Sequence, residues 1–216
     1  MEDRVYHIRY LPEDAPEPFA EETVFDPALI PESWMKLEEA KLDQFPWERD
    51  YRPSACARMG WNAKGLHILM YADEPSVRCE IRETGGDVYT DSCLECFIAP
   101  KAGDPRYINC EVNPLGTLHM GVGASRYDRV VERTVPEGMA IRHSQHNGGW
   151  WAVAYCVPAA FLKARFDIVP SEMRVTRGNF YKCGNAHTLH HGMYKPYDLE
   201  APDFHRPELF ARFELE

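Results

Sequence analysis

The sequence predicts an all-β fold, a two-sheet antiparallel β-sandwich with one or two short helices, on three observations. Glycine, proline, aspartate and asparagine recur at short intervals along the 216 residues. The stretches between them are short, rich in β-branched and aromatic residues, and often alternate apolar with polar positions. Helical periodicity is scarce, and the runs between turn signals are too short for a helical protein of this length.

Taken in order, strands are expected over 5–10, 55–61, 66–71, 77–82, 92–99, 107–113, 117–122, 141–146, 150–157, 174–182 and 209–215. Eleven strands of this kind suit two packed sheets. Residues 159–165 read as a short helix, because Pro158 can open it and Phe161 and Leu162 supply an apolar stripe. A second short helix is expected within 33–42. The proline-rich stretch 11–18 reads as an extended arm, so residues 1–22 form an N-terminal strand and arm on one domain spanning 1–216.

A hydrophobic content of 44% is enough for a full core in one domain of this size. The formal charge of -10 surrounds the chain with a negative field that repels phosphate backbones and anionic lipid, which argues against nucleic acid and membrane as partners. No apolar run reaches the length of a bilayer span, and the opening residues alternate charge with apolar side chains instead of forming an export signal. Seven cysteines is an odd number, and most lie in apolar strand-like runs where thiols act as small hydrophobes. Unpaired thiols and a cytoplasmic location are the expectation.

The segment 87–116, DVYTDSCLECFIAPKAGDPRYINCEVNPLG, is the most informative. In its first strand Leu94, Cys96 and Ile98 share one face, and Asp91, Cys93, Glu95 and Phe97 the other. In its second, Ile108, Cys110 and Val112 oppose Tyr107, Asn109, Glu111 and Asn113. The apolar faces can form one core, which puts Glu95 and Glu111 on the opposite sheet face. A carboxylate inside a run as apolar as CLECFIA must be hydrogen-bonded or open to a cleft. Tyr89 lies an even six residues before Glu95, so a ring stands beside a carboxylate if the strand extends that far. Sugars suit that pair, since their C–H faces stack on rings and their hydroxyls donate to carboxylates.

The run 88–97, followed by YINCEVNPLG, by GNFYKCG at 178–184 and by PDFHRPELF at 202–210, resembles the family 9 carbohydrate-binding modules from about Thr23 onward. The resemblance implies a β-sandwich that grips a sugar between two aromatic rings, with a carboxylate, a basic side chain and amides bonding its hydroxyls. By position Tyr89 matches the first ring and Glu95 the carboxylate, while Phe204 and Tyr194 both stand near the second ring. Arg177, Asn179 and Asn113 match polar contacts. Glu111 stands where such modules can have arginine, replacing a donor with an acceptor. The implied activity is non-catalytic binding of a carbohydrate, either a terminal sugar of a plant-type polysaccharide or a free saccharide, with no cofactor and no required metal.

Four other chemistries have candidate residues in the sequence. Cys93 and Cys96 form a CxxC, but an odd offset on a strand sends the thiols to opposite faces. His187, His190 and His191 beside Asp198, Asp203 and His205 lack a periodicity that would align them on a metal. Glu95 and Glu111 could act as the acid and base of a glycoside hydrolase. A haem-carrying electron-transfer sandwich would draw on His119, Met120, Met139 and Met193, but no CxxCH attachment motif is present.

Overall fold

The computed structural model describes residues 4–48, 50–184 and 188–216. Among the described residues thirteen strands are formed: β1 (Val5–Tyr10), β2 (Glu39–Lys41), β3 (Ser54–Asn62), β4 (Gly65–Asp73), β5 (Ser92–Ala99), β6 (Tyr107–Val112), β7 (Leu118–Gly123), β8 (Arg129–Val131), β9 (Ile141–His143), β10 (Trp150–Pro158), β11 (Val175–Gly184), β12 (His190–Met193) and β13 (Ala211–Leu215). They pair along one path, β8-β7-β6-β5-β11-β13-β1-β3-β4-β10-β9, with β12 added to β11 and β2 to β3. The all-β expectation holds, but its two-sheet antiparallel detail does not: the strands join in one continuous curled sheet, and the pairing is not wholly antiparallel. β1 runs parallel to both β13 and β3, and so joins the two halves of the curled sheet.

The largest core draws on both halves. Leu94, Cys96, Ile98, Ile108, Cys110 and Val112 from β5 and β6 pack in one cluster with Leu66, Ile68, Met70, Trp151 and Val153 from β4 and β10. These are the faces that the alternation assigned to a core. The opposite face of β5, β6 and β11 is covered as well, by a smaller cluster that brings Cys93, Phe97, Tyr107 and Tyr181 under Tyr197, Phe204 and Phe210 of the segment before β13. This second layer turns the polar sheet face into the wall of a cleft instead of a solvated surface.

A buried charged network crosses the main core. Lys182 of β11 is 0% exposed and Glu74, just past β4, is 1% exposed. Lys182 Nζ lies 3.1 Å from Glu74 Oε2 and donates to the Cys183 carbonyl at 2.7 Å, with His190 Nε2 at 2.8 Å. The Trp151 indole N–H donates to the same Glu74 oxygen at 2.8 Å. The network therefore ties β11 to β10 and the end of β4 through the interior.

Two expected elements differ. Residues 77–82 form no strand, because the Asp91 carboxylate takes their backbone donors: the amides of Glu80 and Ile81 donate to it at 2.9–3.0 Å, and the Arg78 guanidinium pairs with it at 3.1 Å. The expected helix within 33–42 shrinks to α1 (Glu32–Met35), and the chain then extends into β2. The other expected helix is present as α2 (Ala159–Phe166), closed by Asp167 in the left-handed region at φ 50°. Among the described residues no helix is long and apolar enough to cross a membrane. All seven cysteines stand as thiols. Titration of denatured, unreduced protein is therefore expected to find about seven reactive thiols, and six fewer would mean three disulfides.

Candidate functional site

Antiparallel register places one side chain from each of four strands in a row across the sheet. Tyr181 of β11 pairs with Glu95 of β5, Glu95 with Glu111 of β6, and Glu111 with His119 of β7. Three members of the row, Glu95, Glu111 and His119, floor a cavity of about 520 Å³ that Tyr89, Asp87, Arg126, Arg129, Cys183, His191 and the segment 202–205 also line, while Tyr181 lies buried behind Phe204. Tyr89 is 42% exposed and stands at the mouth. It arrives there from a 3-10 turn at Val88–Thr90 and not by extension of β5, so its even spacing from Glu95 is not what puts it beside the site.

The floor is rich in hydrogen-bond acceptors. Glu111 Oε1 accepts from Asn109 Nδ2 at 2.8 Å, and Asn109 Oδ1 accepts from Arg129 Nη1 at 2.9 Å, so the amide relays a cation to a carboxylate. Gly121 makes this possible: a Cβ there would lie 2.6 Å from Asn109 Oδ1 and 3.0 Å from Arg129 Cδ. The second oxygen, Glu111 Oε2, is buried and has no hydrogen-bond partner among the described residues, and the same holds for His119 Nε2. His119 Nδ1 lies 2.8 Å from the Gly86 carbonyl, which can only accept, so Nδ1 carries a proton and in the imidazole form Nε2 is the lone-pair nitrogen. Two adjacent buried acceptors thus await donors, and each unmet group is costly. Burial pushes the carboxyl of Glu95 well above the usual range, helped by the neighbouring Cys183 and Glu111. Burial also raises Glu111, against the opposing pull of Arg129 and the hydrogen bond from Asn109.

One wall is aromatic. Phe204 stacks on Tyr181 with ring centroids 4.0 Å apart and planes at 12°. It is 7% exposed, so only its cavity side remains open. On the far wall His205 sits between Tyr107 Oη, 2.7 Å from its Nδ1, and the Arg129 guanidinium. Burial, then Arg129 and Arg126, drive its pKa from 6.5 down to about 3. Below pH 6.5 the unfolded chain takes up a proton that native His205 refuses, so the fold loses up to about 1.4 kcal/mol per pH unit until about pH 3 is reached. Denaturant melts of wild type and His205→Gln between pH 7 and 4.5 should show this slope in the wild type and a shallower one in the variant. Parallel slopes would show that His205 is protonated in the fold.

Of the residues expected at a site, Tyr89, Glu95, Glu111 and Phe204 converge on the cavity. Four others lie elsewhere. Asn113 is buried as a turn clamp, donating to the Ile81 carbonyl and Asp91 while its oxygen accepts the amides of Leu115 and Thr117. Asn179 bonds the Lys195 backbone in both directions. Tyr194 packs edge-on to Tyr6 in the main core and donates its hydroxyl to the Val5 carbonyl. Arg177 shares a sheet face with Glu95 but lies at the other end of β11, beside Lys101 and Arg212 in a separate hollow. The proposed haem ligands do not converge: Met120 and Met139 are in the main core and Met193 in the smaller one, while His119 faces the cleft. The loop histidines also separate. His190 joins Lys182, His191 Nδ1 lies 2.6 Å from Glu48, and His187 falls outside the described residues. Cys93 and Cys96 point to opposite faces, one into each core.

His119, Arg126, Arg129, Asp203 and His205 complete the cavity without having been expected there. For His119 the signal was present. The five-residue connection 113–117 between β6 and β7 sets 112 against 118 and therefore 111 against 119. Arg129 and His205 carry no local signal, because β8 and the segment 202–205 reach the site only through tertiary packing.

Fold and site together define an all-β domain built on a curled sheet with a one-sided cleft. Residues 27–215 match the family described as carbohydrate-binding family 9, and the chain belongs to it. Among solved structures it is similar to a candidate carbohydrate-binding protein from Bacteroides uniformis, 25% identical with a TM-score of 0.77 over 99% of each chain. It also resembles a family 9 module from Caldicellulosiruptor kristjanssonii solved with glucose, at 12% identity and a TM-score of 0.60 over 99% of this chain and 96% of that one. The cellotriose complex of a module from the same organism gives 11% identity and a TM-score of 0.63, over 99% and 94%. At those last two identities the likeness is one of fold. No curated protein matches the chain.

Proposed function

We propose that the chain binds a saccharide in this cleft and does no chemistry on it. The observation that carries the reading is the pair of buried, unpartnered acceptors, Glu111 Oε2 and His119 Nε2, set side by side on the cavity floor next to Glu95. Sugar hydroxyls can supply donors to both, and Tyr89 at the mouth and Phe204 in the wall offer ring faces to the C–H surface of the ring. Family membership and the glucose and cellotriose complexes of similar folds support the same ligand class. A terminal or free sugar fits better than the middle of a long chain, because the floor residues Glu95, Glu111 and His119 are all buried.

Glu95 and Glu111 do not favour hydrolysis. They are direct cross-strand neighbours on one sheet face, so both meet a ligand from the same side, whereas glycosidases place their two carboxyls on opposite sides of the scissile bond. A glycan array followed by isothermal titration tests the reading. A saccharide bound at one site per chain and recovered unaltered is expected. Absence of binding across neutral mono- and oligosaccharides, or turnover of the bound sugar, would overturn it.

A further inference from the structure

The cleft floor holds a second constellation, which shares Glu95 with the proposed sugar site and adds two thiols that sugar binding leaves unused. Cys93 and Cys183 face each other directly across β5 and β11, and Glu95 lies two residues along β5 on the same face. The two Sγ atoms and a Glu95 oxygen all lie within 4.8 Å of one another, and all three residues are buried. The Cys183 thiol is 3.0 Å from Glu95 Oε1. We propose that these three side chains bind one thiophilic divalent cation of the zinc class.

The geometry suits a tetrahedral ion. Bonds of about 2.3 Å to sulfur and about 2.1 Å to oxygen place ligand atoms roughly 3.4–3.8 Å apart, so the three groups need move only by rotamer adjustment. Charge points the same way. The cluster offers two thiols and a carboxylate, and directly across from Glu95 lies Glu111 with its buried, unpartnered Oε2. The nearest cations among the described residues are already engaged: Lys182 points through the opposite sheet face to Glu74, and Arg129 donates to Asn109. A row of buried acceptors without its own cation is what a dication would complete. On binding, each thiol gives its proton to solvent as its sulfur bonds the metal, and no electron is transferred.

Glu95 and Cys183 line the cavity, whereas Cys93 lies behind them in the small core. Three protein ligands then leave the fourth position facing the cleft, open to water or to a hydroxyl.

Cobalt(II) added to the reduced, full-length protein reports thiolate ligation directly through its sulfur-to-metal charge-transfer band, without any sugar present. One cobalt per chain with such a band is expected, and zinc should displace it and abolish the band. Cys93→Ser and Cys183→Ser should each remove roughly half the intensity and weaken binding at least about 100-fold, and Glu95→Gln should weaken it about 10-fold while leaving the band. Cys56→Ser, in β3 away from the cluster, should match the wild type. Near-ultraviolet circular dichroism establishes that each variant is folded. No charge-transfer band in the wild type, or an undiminished band in a folded Cys93→Ala/Cys183→Ala double variant, would overturn the proposal. Because the readout involves no carbohydrate, its failure leaves the sugar-binding reading standing, and the reverse is equally true.

Discussion

Replacing Lys182 with methionine is expected to lower the unfolding free energy by about 3–5 kcal/mol, because it leaves the Glu74 carboxylate buried without its cation. The pair is fully enclosed, at 0% and 1% exposure, and no solvent is available to take over either charge. Methionine preserves most of the side-chain volume, so the loss reports charge and hydrogen bonding and not a cavity. Adding Glu74→Gln should recover a large part of it, since glutamine removes the stranded charge while its oxygen can still accept from the Trp151 indole. Urea melts of the wild type, both single variants and the double variant give the coupling energy. Additive losses would show that Lys182 and Glu74 do not act as a pair.

Glu111→Gln should reduce affinity for the array-selected saccharide by about 1.5–3 kcal/mol, since it turns part of an acceptor floor into a donor and weakens charge-assisted bonds to hydroxyls. Tyr89→Ala should cost about 1–3 kcal/mol of binding through loss of a stacking face. The two should differ in thermal melts. Tyr89 is 42% exposed at the mouth, and its removal should leave the melting temperature nearly unchanged. Glu111 is buried with a raised pKa, and its neutralisation relieves desolvation, so the variant should be at least as stable as the wild type. A loss of stability that tracks the loss of binding in both variants would make these residues structural.

The parts of the molecule that alternation could reach were legible. β5 and β6 were read with both faces assigned correctly, because apolar residues at every second position have only one core to enter. The polar side chains were harder, since their partners decide their roles and lie far off in sequence. Asn113 and Asn179 look like ligand contacts by alternation, yet each is spent on backbone groups that close a turn or fix the chain beside Lys195. Arg177 shares the right face at the wrong end of its strand. Residues 77–82 have the composition of a strand, but a single buried carboxylate, Asp91, captures their amides. Lys182 sits in the run FYKCG with nothing nearby to announce that its ammonium is buried, because Glu74 and Trp151 come from the other half of the sheet. The unpartnered Nε2 of His119 was within reach through the β6–β7 register alone.

The central claim is that saccharide hydroxyls satisfy the two open acceptors on the cleft floor. Long-range proton–nitrogen spectra of the histidine side chains, recorded as the saccharide is titrated, address it at the atom concerned. The account predicts that the Nε2 resonance of His119 moves and saturates with the dissociation constant found by calorimetry, while His67, held near Asn62 and Cys156 away from the cleft, stays in place. Saccharide binding of undiminished affinity with His119 Nε2 unmoved would contradict it.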